Sequence, residues 1–190
     1  MCIRDRYLTM RLHAAGGEPT YALLEIANGE EVPAREMDSA AVCALTEMAI
    51  CVAALDNDRH SFARESGRRQ TDQNILTVLM AQDGSTAEQA LHDAVALRDS
   101  VLCRFLELGE KVRARAGRPL RRYLDDLAHG IRGNIDWARD VPRYLHTYGR
   151  GAVPRTPTAV PSTAWSEIPL ADGRVPPRLP TIAWWWQDHV

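Results

Sequence analysis

From Ser39 to Glu65, small and aliphatic residues recur at helical spacing in the longest apolar-periodic stretch of the chain. A helix this apolar has to be wrapped by other helices, because no single face can be left to water. The flanking segments supply them. "YLTMRLHAA" is a helical end stopped by Gly16-Gly17, and "PTYALLEIANG" carries Pro19 in a first turn and Gly29 after a last one. "ESGRRQTDQ" is a polar loop, followed by a short helix, "NILTVLMAQDG", that closes at Asp83-Gly84. Ser85 with Glu88 three residues on forms a capping box that opens a helix to about Arg115. "AGRPLRRYLDDLAHGIRGNIDWARDVPRYLHTY" is the last helix, weakened by Gly130 and Gly133 and kinked or ended at Pro142. No segment alternates as a strand does and no repeat is present, so the expected fold class is all-α.

The chain of 190 residues, 45% hydrophobic, is enough for one packed domain. Residues 149–190 are rich in proline and poor in periodic apolar residues, and are expected to form a flexible tail. A formal net charge of -2 argues against a nucleic-acid partner held by bulk electrostatics. Cys2, Cys43, Cys51 and Cys103 make no CxxC pair, and Cys43 and Cys51 fall in the apolar helix as expected buried, reduced thiols. A reducing cytoplasmic location fits that usage. No apolar run of about 18 residues is present, so stable membrane insertion is not expected. "MCIRDR" resembles a translated sequencing adapter, so residues 1–6 are expected to be a non-native start, with the native chain running upstream of Tyr7.

The apolar stretch ends in "LDNDRHSFARE", which sets Asn57, Ser61 and Glu65 at successive steps of four. At ~3.6 residues per turn the three stand on one face, about 40° apart per step. Cys43, Thr46, Ile50, Ala53 and Ala54 precede them on that face and are small or apolar, so the oxygens continue a stripe that should point inward. A solvated helix face is the bland alternative. A carboxylate on an inward stripe needs a cation or donors, and amide, hydroxyl and carboxylate oxygens suit a hard divalent ion such as Mg²⁺. Arg64, beside Glu65, adds a cation able to reach substrate phosphates.

"NDRHSFARE" resembles the second metal motif of bacterial class I terpene synthases, (N/D)Dxx(S/T)xx(K/R)E. "GNIDWARDVPRY" is similar to the last-helix signature of that family, a tryptophan followed by an Arg-Tyr pair. Arg11 lies 46 residues before Asn57 and Arg143 lies 86 after it, spacings that resemble those of the family's diphosphate-sensing arginine and terminal Arg-Tyr pair. The resemblance runs from about Tyr7 to Tyr148 and implies the C-terminal part of a class I terpenoid synthase helical bundle. It implies that Asn57, Ser61 and Glu65 hold one of three Mg²⁺ ions, and that Arg11, Arg64, Arg143 and Tyr144 bind the substrate diphosphate. Trp137, seven residues before Tyr144, is either an ordinary core aromatic or, by the resemblance, a cavity wall that stabilises a carbocation. The implied reaction is ionisation and cyclisation of a linear isoprenoid diphosphate, farnesyl diphosphate by family frequency. The resemblance also admits a homodimer.

The departures are specific. An aspartate-rich first metal motif should lie well ahead of Arg11, where only ten residues stand, so the N-terminal helices are expected to be missing and the fragment inactive by itself. "LDDLAH", with Asp125-Asp126, has no third carboxylate and is expected to be a solvated face of the last helix. Ala14 stands where a polar linker is common, Ala15 at the following effector position, and "VPRY" where "SGRY" is usual. "AWWWQDHV" has no counterpart, and a packing role for Trp184, Trp185 and Trp186 is expected. Two rivals remain: a prenyl chain-elongating synthase, disfavoured because Asn57-Ser61-Glu65 replaces a second aspartate-rich motif, and a non-catalytic diphosphate-binding or interaction protein descended from a synthase.

Overall fold

The computed structural model describes residues 2–68, 73–141 and 166–189. Helices run α1 (Ile3–Ala14), α2 (Gly17–Asn28), α3 (Ala34–Met37), α4 (Ala40–Arg68), α5 (Ile75–Asp83), α6 (Ala87–Arg113), α7 (Arg118–Asp140) and α8 (Pro180–Ala183), followed by a 3₁₀ turn at Trp184–Trp186. No strand occurs among the described residues.

Helix α4 is the axis of the bundle. It packs against α6 and α7 along most of its length and against α1 and α5 near its C-terminal end. Ala44, Leu45, Met48, Ala49, Val52 and Leu55 are completely or almost completely buried along it. Against the expectation of no apolar run of about 18 residues, the span Ala40–Ser66 contains an 18-residue window apolar enough to cross a bilayer by length and composition. That window is 67% buried inside the protein, as expected of a core helix whose apolar stripe is satisfied by its neighbours. Cys43 departs from expectation: it faces solvent, whereas Cys51 is buried, because the two lie eight residues apart and the bundle covers only Cys51. Burial pushes the Cys51 thiol up to about 12. Cys43 is therefore expected to react readily with a disulfide reagent in the native state, and Cys51 only as the chain unfolds, a contrast that a labelling time course reads directly.

Helix ends follow the local chemistry with one shift. Gly16, at φ 74, turns the chain between α1 and α2. The capping box of α6 lies one residue beyond the Ser85–Glu88 pair: Thr86 Oγ1 accepts from the Gln89 N–H at 3.2 Å, and Gln89 Oε1 accepts from the Thr86 N–H at 2.9 Å. Thr86 has the extended backbone that a cap requires, so the second of two overlapping patterns is the one used. Helix α7 runs without a break through Gly130 and Gly133. A Cβ at Gly130 would stand 2.9 Å from Tyr21 Cε1, so the missing side chain lets α2 lie against α7. Asp125 pairs with Arg113, and Asp126 Oδ2 accepts from Asn28 Nδ2 at 2.6 Å, so these two carboxylates tie helices together rather than face water alone. No break marks residue 6, since α1 is continuous from Ile3 and Asp5 is fully buried.

Residues 166–189 differ from the expected flexible tail. They form a strap across α1, α4 and α6, with Ile182 and Trp185 fully buried. Trp185 Nε1 donates to Glu47 Oε2 at 2.9 Å, and Arg104 donates through Nε to Trp185 O and through Nη2 to Gln187 O, each at 3.0 Å. The Thr181 N–H donates to Asp5 Oδ1 at 2.8 Å. Proline-rich sequence lacks the periodicity of a helix or strand, yet single large apolar side chains can still anchor it, and sequence pattern does not register them. The rest of the expected tail, 149–165, lies outside the described residues, as does Pro142.

Candidate functional site

The last three turns of α4 carry the oxygen column into a junction with α1 and α5. Asn57 is half-buried, Ser61 is 1% exposed and Glu65 is half-buried, so the face is covered at Ser61 and partly open at Asn57 and Glu65. Arg11, from the C-terminal half of α1, donates through Nη2 to Asn57 Oδ1 at 3.0 Å, bringing two sequence-chosen residues 46 positions apart into direct contact. Arg64 and Glu65 form a 3.8 Å ion pair.

Asp58 organises the junction, and sequence reasoning had passed over it. Its Oδ1 accepts from Arg11 Nη2 at 2.9 Å and Nε at 3.2 Å; its Oδ2 accepts from the Tyr7 hydroxyl and, at 2.9 Å, from the Ile75 N–H. Burial raises the Asp58 carboxyl, and Arg11, Tyr7 and the Ile75 N–H oppose that rise. Burial lowers the Arg11 guanidinium, but the Asp58 charge, the Tyr7 oxygen and the hydrogen bonds to both together raise it above the usual arginine value and hold it protonated. The Tyr7 phenol is raised by burial and by the same carboxylate, and so stays a donor. A signal was available: Asp58 falls between Leu55 and Phe62 on the buried face of α4, and a buried carboxylate must have donors.

Asn74 is the second residue missed. Its Oδ1 accepts from the Leu76 N–H at 3.0 Å and caps α5, while its Nδ2 donates to Asp58 O at 2.9 Å and to Glu65 Oε2 at 3.0 Å. One amide thus fixes the start of α5 and the orientation of Glu65. Its signal was an Asn immediately ahead of an apolar helical run.

Beside this junction, between α2, α4 and α7, lies a cavity of about 250 Å³. Ile50, Ala53, Ala54 and Tyr21 give it apolar walls, and Arg11 and Asn57 line it as well. Ala15, at the expected effector position, is part of the same lining. Trp137 departs from both expectations: it is 50% exposed on α7, so it is no core aromatic, and it is not among the residues that line the cavity, where α7 instead presents Gly130 and Asn134, the latter donating through Nδ2 to Ala53 O at 3.2 Å. Arg143 and Tyr144 lie outside the described residues.

The donor set suits a hard cation. Ser61 Oγ makes only a long 3.5 Å bond to Asp58 O, and Glu65 Oε1 faces a guanidinium at a loose distance, so both retain lone pairs. No cluster of three or more His, Cys, Asp or Glu side chains occurs among the described residues.

The family described as "Terpene synthase family 2, C-terminal metal binding" matches residues 4–104, more than half the chain, and the match includes Arg11, Asn57, Asp58, Ser61 and Glu65. The chain belongs to terpene synthase family 2. Among its terpene synthase relatives, spiroviolene synthase of Streptomyces violens is 52% identical over 187 residues, covering 98% of this chain and 51% of that protein. Phomopsene synthase of Allokutzneria albata is 39% identical over 183 residues, covering 95% of this chain and 49% of that protein. The crystal structure of SVS_A2, a protein from ancestral sequence reconstruction, superposes with a TM-score of 0.78 at 49% identity, over 96% of this chain and 47% of that one. The chain spans about half the length of the curated relatives it matches. The all-helical terpene synthase fold implied by the sequence is therefore the fold observed.

Proposed function

We propose that this chain is the cation- and diphosphate-binding part of a terpene cyclase that ionises and cyclises a linear isoprenoid diphosphate. The observation that carries the reading is the placement of Arg11 and Asn57, 3.0 Å apart, in the lining of a cavity with walls of Ile50, Ala53 and Ala54. A charged head group can be held at such a mouth while the hydrocarbon enters an apolar space.

Asn57, Ser61 and Glu65 would hold one Mg²⁺ of the three expected in the complete enzyme. Bound there, Mg²⁺ supplies charge neutralisation to the departing diphosphate. Arg11 and Arg64, with Arg143 and Tyr144, would donate to its oxygens, arginine being suited by its planar fork. Trp137, half-exposed and outside the cavity lining of this chain, would have to turn inward in the complete enzyme to set its ring face toward the allylic cation. The cavity walls would exclude water until a proton is lost. Farnesyl diphosphate is the proposed substrate. It is supported by a relative named as (+)-T-muurolol synthase, farnesyl diphosphate cyclizing, of Streptomyces clavuligerus, 33% identical over 185 residues. Four free cysteines support a cytoplasmic location. A homodimer belongs to the same reading, and sedimentation of the complete enzyme would reveal it.

In an enzyme of the relatives' length that carries this segment, Glu65→Ala should lower Mg²⁺-dependent release of diphosphate from farnesyl diphosphate about 10²-fold or more, as loss of a transition-state charge stabiliser does. An unchanged rate and an unchanged Mg²⁺ dependence would remove Glu65 from the cation site. The 190-residue chain alone should release no diphosphate in the same assay.

A further inference from the structure

The cavity beside the junction has an aromatic of its own. Tyr21, on α2, is 6% exposed and is the one aromatic among the described residues that line the cavity. Gly130 of α7 sets how the ring stands. A Cβ at Gly130 would lie 2.9 Å from Tyr21 Cε1, 3.2 Å from its hydroxyl oxygen and 3.5 Å from Cζ. Those three distances meet only at a point close to the ring plane, just off the edge between Cε1 and the hydroxyl. The ring therefore touches α7 by its edge, and that contact covers neither face. An aromatic edge is partially positive and a face partially negative, so an edge-on contact leaves a negative face to line the cavity. A Cβ at Gly17, one turn before Tyr21, would stand 2.5 Å from Ile50 Cγ1, so a bare backbone also lets α2 close on α4. Burial, and after it Tyr123, pushes the Tyr21 phenol up to about 12, so the ring stays neutral.

We propose that Tyr21 is a catalytic residue of this site, whose ring face lies against the positively charged hydrocarbon in the cavity, and that Gly130 is the positioning residue that holds the ring edge-on to α7. A neutral phenol attracts a cation over its face most strongly where water is excluded, as it is at a side chain this buried. Trp137 stands outside the lining, so within this chain's own cavity the aromatic face is Tyr21's. The inference rests on the cyclase reading above and deepens it: Arg11 and the α4 oxygens serve the diphosphate end of the substrate, and Tyr21 serves the hydrocarbon end.

The test is calorimetric binding of two probes to the full 190-residue chain: benzyltrimethylammonium and neopentylbenzene, its uncharged carbon isostere. The two share one shape, and desolvation works against the charged one, so a preference for it requires a compensating face. The wild type should bind the ammonium about three- to tenfold more tightly than the isostere, the worth of one cation–π contact. Tyr21→Phe keeps a ring face and should keep most of that preference, and Tyr21→Leu should abolish it. Gly130→Ala pushes the edge off α7 with the tyrosine intact and should weaken the preference too. It decides the matter if melting curves show the leucine chain unfolded. A wild type that binds neither probe or both alike, or a preference that survives Tyr21→Leu, overturns the proposal. In an enzyme of the relatives' length that carries this segment, Tyr21→Leu should still release diphosphate but yield a larger share of acyclic product. Release with an unchanged product pattern would leave the cyclase reading standing and remove Tyr21 from it, whereas no release from the unsubstituted enzyme would sink the cyclase reading itself.

Discussion

Asp58→Ala is expected to destabilise the folded chain by about 3–5 kcal/mol, the scale for removing one partner of a buried ion pair. Four donor bonds converge on the carboxylate, three from Tyr7 and Arg11 on α1 and one from the Ile75 N–H at the start of α5. Alanine would leave the Arg11 guanidinium, the Tyr7 hydroxyl and the Ile75 N–H facing a dry junction, and an unsatisfied buried donor costs about 1–3 kcal/mol by itself. Water that enters from the Arg11 side can recover part of this, because that side chain is 18% exposed. Asp58→Asn keeps one acceptor oxygen and should cost roughly half as much. Urea unfolding measures both: the midpoint should fall while the slope stays constant, marking a loss of stability and not a change in the unfolded chain. A cost below about 1 kcal/mol for Asp58→Ala would mean that the junction repacks and that Arg11 is not positioned by it.

The helices and the shared face of the oxygen column were legible for the same reason: each is a local pattern. Asn57, Ser61 and Glu65 share a face because of their spacing alone, and the caps at Gly16, Gly29 and Gly84 depend on nearest neighbours. Asp58 was not legible in that way, because its meaning lies in Tyr7 and Arg11, 51 and 47 positions away, and in a backbone N–H exposed only when α5 begins at Ile75. Periodicity does contain half of the answer, since it places Asp58 on the buried side with Leu55 and Phe62. What it omits is who supplies the donors. The Cys43 expectation failed on a related point: an apolar helix is still covered unevenly, and only the tertiary arrangement says which turn is left open.

Trp185→Ala should lower the melting temperature by roughly 6–20 °C, from a loss of about 3–5 kcal/mol at an entropy of unfolding typical of a chain this long. The indole is fully buried, and deleting it empties its place under the strap while leaving Glu47 without the indole donor. Arg104 would still reach the backbone at residues 185 and 187, so the strap can dissociate before the bundle melts. Trypsin separates the two cases. Arg178 is exposed and is followed by buried Leu179, so cleavage between them requires the strap to lift. Faster cleavage there at an unchanged melting temperature would mean that only the strap is lost. The consequence then passes to the site, because the strap's Thr181 N–H is bonded to Asp5, six residues before Arg11 and so about 9 Å away at 1.5 Å per residue along α1. A strap that holds the start of α1 helps to keep that helix seated on the junction where Arg11 meets Asp58. Its release should loosen the guanidinium even where the bundle stays folded.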